Sequence, residues 1–475
     1  MAVTLAILVL VIAVVLNMIV SRLDFSWDIS PNKQYSLSST TEKYLDQLDS
    51  EGKTVDFYIL TTKDSLENDM SSLTLYRALE DYDAHKSINL IWVDPDTDND
   101  TMEKINSDNA FTLSTGDMVF ICDNVKKRVP GYSMYTVYTD DDGNTTGEDF
   151  KGENLITGTI KGVAENRTPT VYFLSGHGEK SLDSYTKFTT NLTNYNYAAK
   201  ELNLSETDSV PDDAALVLVA APSKDITDAE AEKLNAYLDN GGNISLLMSP
   251  NGGAFAYTNL EAIMKDYGFY MDYDRVSETN SNYHISGDKY TIQCELNELD
   301  DDSEATDLTS SLLNQGLYTF MPESRSFRYN DEGGKYTIAP LITTYDSAEG
   351  EPYGGISDDP EKQSGQMLLA ADSTSIARND SKMVVFGNAE FIDDEHVSDD
   401  TVIVPVYLFL STISWMYDSD IDMEISTKST TNDYISLQEL RRSIIRAHYS
   451  FIQRKANVID ITFEHLSDGM LNSIR

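Results

Sequence analysis

The sequence predicts an α/β protein: an N-terminal transmembrane helix followed by two α/β domains, the second built on a doubly wound parallel sheet. Three observations lead there. Ala2 to Val20 is nineteen residues without a charge. Between residues 55 and 165 short apolar runs alternate with amphipathic stretches. From residue 170 the same alternation tightens into strand, helix, strand, helix, strand with short loops, the signature of a parallel sheet with crossover helices.

The apolar run comes first. At ~1.5 Å rise per residue a helix of this length spans roughly 30 Å, the thickness of a bilayer core. Arg22 and Asp24 end it, and Trp27 follows where an interfacial aromatic sits. A cleaved signal peptide would begin with basic residues, carry a shorter apolar core and end in a small-x-small site. No basic residue precedes the run, and Met18 to Leu23 offers no such site. Residues 1–21 are therefore expected to anchor the chain in the cell membrane by a single pass. The bulk is expected to be extracytoplasmic, since nothing so acidic is held by a negative cytoplasmic leaflet.

The first domain is expected over 27–165. Ser39-Thr40-Thr41-Glu42 reads as a capping box opening a helix to about Leu48. Val55 to Leu60 is a strand, Ser71 to Asp83 a helix, and Ile88 to Val93 a strand stopped by Asp94-Pro95-Asp96. Met118 to Cys122 and Arg128 to Val129 are strand material, Asp140 to Gly147 a polar loop, and Glu153 to Val163 a linking helix.

The second domain is expected over 168–425. Thr170 to Leu174 is its first strand, and Ser175-Gly176-His177-Gly178-Glu179 the turn after it. Leu182 to Leu192 is helical and Ala215 to Ala220 is a buried strand. Thr227 caps a helix to Asn240 with Glu230 at its third position and Gly241-Gly242 at its end, before the strand Ile244 to Met248. Residues 280–363 loosen into polar, Gly- and Asp-rich sequence with short β-like pieces and read as an insertion rather than a domain of its own. The sheet resumes at Gln366 to Ala371 and Lys382 to Phe386. Val402 to Tyr417 reads as a buried helix, because Pro405, Ser411, Thr412 and Ser414 interrupt a run shorter than the first. Residues 434–475 form a basic tail: Arg441, Arg442, Arg446, Arg454 and Lys455 face the single acid Glu439 between Leu437 and Lys455. Its amphipathic helix could dock on the chain's own acidic domain, on a partner or on a membrane.

Bulk composition excludes whole classes of function. The net charge of −44, from 79 acidic and 35 basic side chains, repels phosphate backbones and makes nucleic-acid binding improbable. Cys122 and Cys294 make no disulfide framework and no metal spacing, though one bridge between them is open. Asp140, Asp142 and Asn144 alternate like the start of an EF-hand loop. Thr145 and Lys151 stand where that loop needs its glycine and closing glutamate. Neither a Walker motif nor a dinucleotide glycine fingerprint occurs, and no cofactor is expected.

Five sets of residues stand out in order: Asp28-Ile29-Ser30 with Lys33 to Ser38 just outside the expected membrane helix, Val93-Asp94-Pro95, Phe173 to Glu179, Asp239 to Asn243, and Val384 to Phe391. Together they resemble the GldG-like family, auxiliary components of ABC transport systems named from gliding motility. The resemblance covers residues 1 to about 425, with the segments in the family's order. It implies an extracytoplasmic pair of α/β domains, the second resembling the glutamine-amidotransferase-like fold, partnered with an ABC permease and ATPase. Family members often end in another membrane helix, where this chain has its basic tail.

The candidate site is the turn Gly176, His177, Gly178 and Glu179, at the carboxyl end of a parallel strand where open α/β sheets bind ligands. Asn388 and Glu390, after the strand ending at Phe386, would line the same crevice. An amidotransferase needs a cysteine nucleophile on a strand-to-helix elbow, and neither cysteine falls on one. Ser249-Pro250-Asn251-Gly252-Gly253 is not a nucleophile elbow either. The expected function is thus a non-catalytic extracytoplasmic auxiliary subunit of a bacterial ABC transport complex, holding a small-molecule or saccharide ligand or a partner loop in that crevice. The alternatives are a cell-envelope hydrolase acting on saccharide or peptide material through His177 and Glu179, and a purely structural scaffold.

Overall fold

The computed structural model describes residues 34–429 apart from 109, 141–143, 300–304, 314–315, 331–333 and 356–362. The expected membrane helix and basic tail lie outside the described residues. No helix among those residues is long and apolar enough to cross a membrane. Residues 34–136 and 150–427 form one compact unit, and 137–149 with 428–429 a second. The second carries most of a small three-stranded sheet of 428–429, 145–150 and 135–139. The strand Thr145–Phe150 occupies the end of the segment expected as a polar loop. Its threonines suit an extended edge better than a coil.

In the larger unit, the first sheet has the order 88–92, 55–59, 118–122, 125–129. Val55–Ile59 runs parallel to Ile88–Trp92 and antiparallel to Met118–Cys122. Phe57 stacks on Phe120 at 4.2 Å within the face covered by the helices Ser39–Glu51, Leu73–Asp83 and Gly152–Ala164.

The cap of the first of these helices corrects the sequence reading. Its N-cap is Ser38, not Ser39, and the Ser38 Oγ accepts from Thr41 N. The partner glutamate comes from far along the chain. Ser38 N donates to Glu153 Oε1 at 2.6 Å, and the buried Thr41 hydroxyl donates to the same oxygen at 2.7 Å. A local capping box would have used Glu42. Here the buried face claims Thr41, and the helix start is shifted by one residue to serve it.

The large sheet corrects the expectation of a wholly parallel one. Five strands are parallel, in the order 381–386, 244–247, 214–220, 170–174, 198–202. Leu368–Ser375 then pairs antiparallel with Ser381–Phe386, and Tyr336–Thr344 and Asp288–Leu296 extend the sheet antiparallel beyond it. Strands 319–321 and 327–329 also pair into it. The short β-like pieces expected within 280–363 thus include strands 288–296, 319–321, 327–329 and 336–344 of this sheet. Antiparallel neighbours need only short connections and one buried face, so such strands leave a weaker apolar signature than the fully buried parallel ones. The edge strand Ala198–Leu202 was also absent from the sequence reading. Lys200 and Glu201 are exposed charges, suited to an edge and poor in strand propensity.

Ile403–Met416 is the buried helix its sequence predicts. Phe409 stacks on Phe188 at 5.6 Å and meets Phe386 and Phe391 edge-on. Cys122 and Cys294 are buried free thiols, so the bridge left open by the sequence is not formed.

Candidate functional site

The strand Thr170–Leu174 is buried along its whole length and delivers the chain to the carboxyl edge of the parallel strands. Gly176 (φ +110°) and Gly178 (φ +89°) turn it there. Only glycine adopts such angles without strain, and a Cβ on residue 178 would lie 1.8 Å from Ser223 Oγ. The turn is fastened to its neighbour: His177 O accepts from Ser223 N at 2.8 Å, Lys224 N at 3.1 Å and Ser223 Oγ at 3.1 Å.

His177 is only 3% exposed. Its Nδ1 lies 3.2 Å from Glu179 Oε1, and its Nε2 lies 3.1 Å from Glu230 Oε2. Its backbone N–H donates to Glu179 Oε2 at 2.7 Å. Glu230 is the third residue of the helix Asp228–Asp239 and closes the capping box with Thr227, whose N and Oγ1 donate to Glu230 Oε2 at 2.8 and 2.6 Å. The hydrogen bond to Glu179 is the main cause of a raised His177 pKa, outweighing burial, with Glu230 adding to it. Burial opposes ionisation of Glu230, but the bonds from Thr227 and His177 prevail and hold its carboxyl below the usual value. The arrangement is an imidazole ring clasped between two carboxylates, which favour its protonated form. Both ring nitrogens face carboxylates of the chain itself.

Asn388 is buried beyond the strand Ser381–Phe386. Its amide donates to Glu323 O at 2.6 Å, and its Oδ1 accepts from Glu390 N at 2.5 Å. The Glu390 side chain is exposed. The 176–179 turn and the 388–390 segment thus sit at the same edge, and Lys180 links them by donating to Asp393 Oδ2 at 2.6 Å. Among the described residues no hydrogen bond joins Gly176, His177, Gly178 or Glu179 directly to Asn388 or Glu390.

Two residues at this edge escaped the sequence reading. Glu230 was legible as part of a cap, but nothing local said that its carboxylate also holds His177. Arg325, in the stretch expected as an insertion, is fully buried. Its backbone N donates to Gly387 O at 3.0 Å, and its Nη2 donates to Ser249 O at 2.9 Å. Its position had no sequence signal, because it lies in the irregular connection between strands 319–321 and 327–329 and its partners are far along the chain.

Among the described residues, two groups could offer several ligands to a metal: Asp46, Asp49 and His85, and Asp393, Glu395 and His396. In the second, the Asp393 oxygens already accept from Lys180, from the Glu395 and His396 backbone, and face His396 Nδ1. Neither includes a residue singled out from sequence. A cavity of about 350 Å³, lined among others by Arg128, Tyr132, Tyr195, Asp400 and Tyr407, lies away from the His177 turn.

Residues 168–402 match the model of a family described as an ABC-type uncharacterized transport system. No curated protein matches the chain. Among solved structures, the N-terminal domain of mmIFT52 aligns with 16% identity and a TM-score of 0.39, over 52% of this chain and 96% of that one. Exo-beta-1,4-mannosidase Op5Man5 from Opitutaceae bacterium strain TAV5 aligns with 9% identity and a TM-score of 0.29, over 78% of this chain and 55% of that one. Likenesses of that size carry no statement about function.

Proposed function

We propose that the chain is a membrane-anchored, extracytoplasmic auxiliary subunit of a bacterial ABC transport complex, of the GldG-like kind. The family match over residues 168–402 is the observation that carries this reading. In it, residues 2–20 seat the chain beside the permease. The five parallel strands form the amidotransferase-like part, and their carboxyl edge holds a ligand or partner loop. The role is non-catalytic. The clasped His177 supports that assignment over a hydrolase using His177 and Glu179, since a general base must reach its substrate with a free ring nitrogen.

The test is recovery of the full-length chain from its native membrane in mild detergent, followed by mass spectrometry. An ABC permease and ATPase in comparable amounts would support the reading. The chain alone, under conditions that keep other transporters assembled, would sink it.

A further inference from the structure

The crevice edge contains a charge that the fold has left incompletely paired. Arg325 is 0% exposed, yet its Nε and Nη1 have no hydrogen-bond partner and no accessible area. A guanidinium offers five N–H donors and keeps its charge in a protein. Burying it with most of its donors idle is costly, and such a group is retained where something else completes it.

Its surroundings are rigid and aromatic. The Tyr257 and Tyr273 ring centres each lie 5.6 Å from Arg325 Cζ, within cation–π range. Both rings are locked: Tyr257 Oη donates to Pro222 O, Tyr273 Oη donates to Glu261 Oε1, and Tyr257 N donates to Tyr273 Oη. The nearby carboxylates are turned elsewhere, Glu261 to Tyr273 and Asp274 to the Ser326 N and Oγ. Gly387 allows the backbone approach, since a Cβ there would lie 2.2 Å from Arg325 O.

The segment that brackets Arg325 begins at Ser249, which accepts from it, and returns at Tyr257, whose ring lies beside it. It contains Gly252 and Gly253, and Gly355 N donates to Gly253 O at 3.0 Å from a second glycine turn. A Cβ on Gly354 (φ +85°) would lie 1.9 Å from Asn251 O, so the two turns close on each other only as glycines.

We infer that Arg325 is the anchor of an oxyanion-binding site, for a carboxylate or a phosphate, beneath the 249–257 segment at the carboxyl edge of the parallel strands. The ligand oxygens would take one idle donor, Nε or Nη1, together with the second N–H of Nη2, in the forked geometry that suits a guanidinium, between the two tyrosine rings. Entry requires the two glycine turns to part. The inference deepens the reading of the crevice as a ligand site. It stands apart from the transporter assignment, because binding is measured on the isolated protein and complex formation by recovery of partners.

The probes are inorganic phosphate and succinate, titrated into the detergent-solubilised full chain by calorimetry, with sodium chloride at matched ionic strength as control. Saturable binding of at least one probe is expected, with phosphate against succinate distinguishing the two oxyanion classes. Arg325→Met should abolish binding while remaining at least as stable as the parent without ligand, since it removes an incompletely paired buried charge. Arg325→Lys, which keeps the charge and loses the fork, should bind at least tenfold more weakly and serves if the methionine variant does not fold. Absence of saturable binding of either probe would overturn the inference. So would equal binding by the parent and a folded Arg325 variant.

Discussion

Removing the Glu230 carboxylate tests the reading of the His177 turn as a clasp. In Glu230→Ala the helix at 228–239 loses the return half of its capping box, worth about 1 kcal/mol. His177 loses one of the two carboxylates that hold its ring. Breaking a buried charge pair by removing one partner costs about 3–5 kcal/mol. Glu179 remains to hold the imidazolium, so the lower end of that range applies, and the total expected loss is about 3–4 kcal/mol. Glu230→Gln keeps the shape and one acceptor. It should cost about 1–2 kcal/mol, the difference between a charge-assisted and a neutral bond.

The pH dependence supplies the sharper signature. The His177 pKa is raised, so its contribution is complete below the ordinary 6.5 and is lost as pH rises through the folded-state value. The Glu230 pKa is lowered, so its contribution is present above 4.5 and lost as pH falls through the folded-state value. The clasp therefore stabilises most between about 4.5 and 6.5. The assay is urea unfolding of the detergent-solubilised chain across pH, followed by tryptophan fluorescence, to which Trp415 in the buried helix contributes. Both Glu230 variants should flatten the decline above pH 6.5. A Glu230→Ala protein as stable as the parent at pH 6, or one with an unchanged slope above it, would refute the clasp.

Two further outcomes follow from backbone and burial. Gly178→Ala should destabilise by about 2–4 kcal/mol, since it combines a disfavoured φ with a collision against Ser223, and Ser223→Ala should recover the part due to the collision. Both are read by the same urea titration. Asp372 is buried between strands 336–344 and 381–386, and burial pushes its pKa up to about 8. The unfolded chain releases this proton near 3.8 and the folded chain keeps it to about 8, so stability falls as pH rises through that window. Asp372→Asn should remove that slope and add about 2–4 kcal/mol at pH 7 while changing little at pH 4. An equal effect at both pH values would contradict the assignment.

How far the chain could be read beforehand differs between its parts. The parallel strands 170–174, 214–220 and 244–247 were legible because each is buried on both faces and appears as an uninterrupted apolar run. The Thr227 cap with Glu230 was legible because its residues stand three apart. The glycines of the 176–178 turn marked the crevice edge for the same reason: backbone angles leave a local trace.

What the sequence determined by itself is whatever acts through near neighbours: the apolar run at 2–20, the fully buried strands, the helix caps and the turn glycines. Tertiary structure alone decided which distant groups meet. It brought Glu153 to the cap at Ser38, 115 residues away, and Glu230 to His177, 53 residues away. It also paired strands 288–296 and 336–344 into the large sheet and carried Arg325 to the ends of the parallel strands. A carboxylate or a guanidinium has no sequence period that reveals its partner. Its energy depends on burial and on a contact of about 3 Å, and both exist only once the layers have packed.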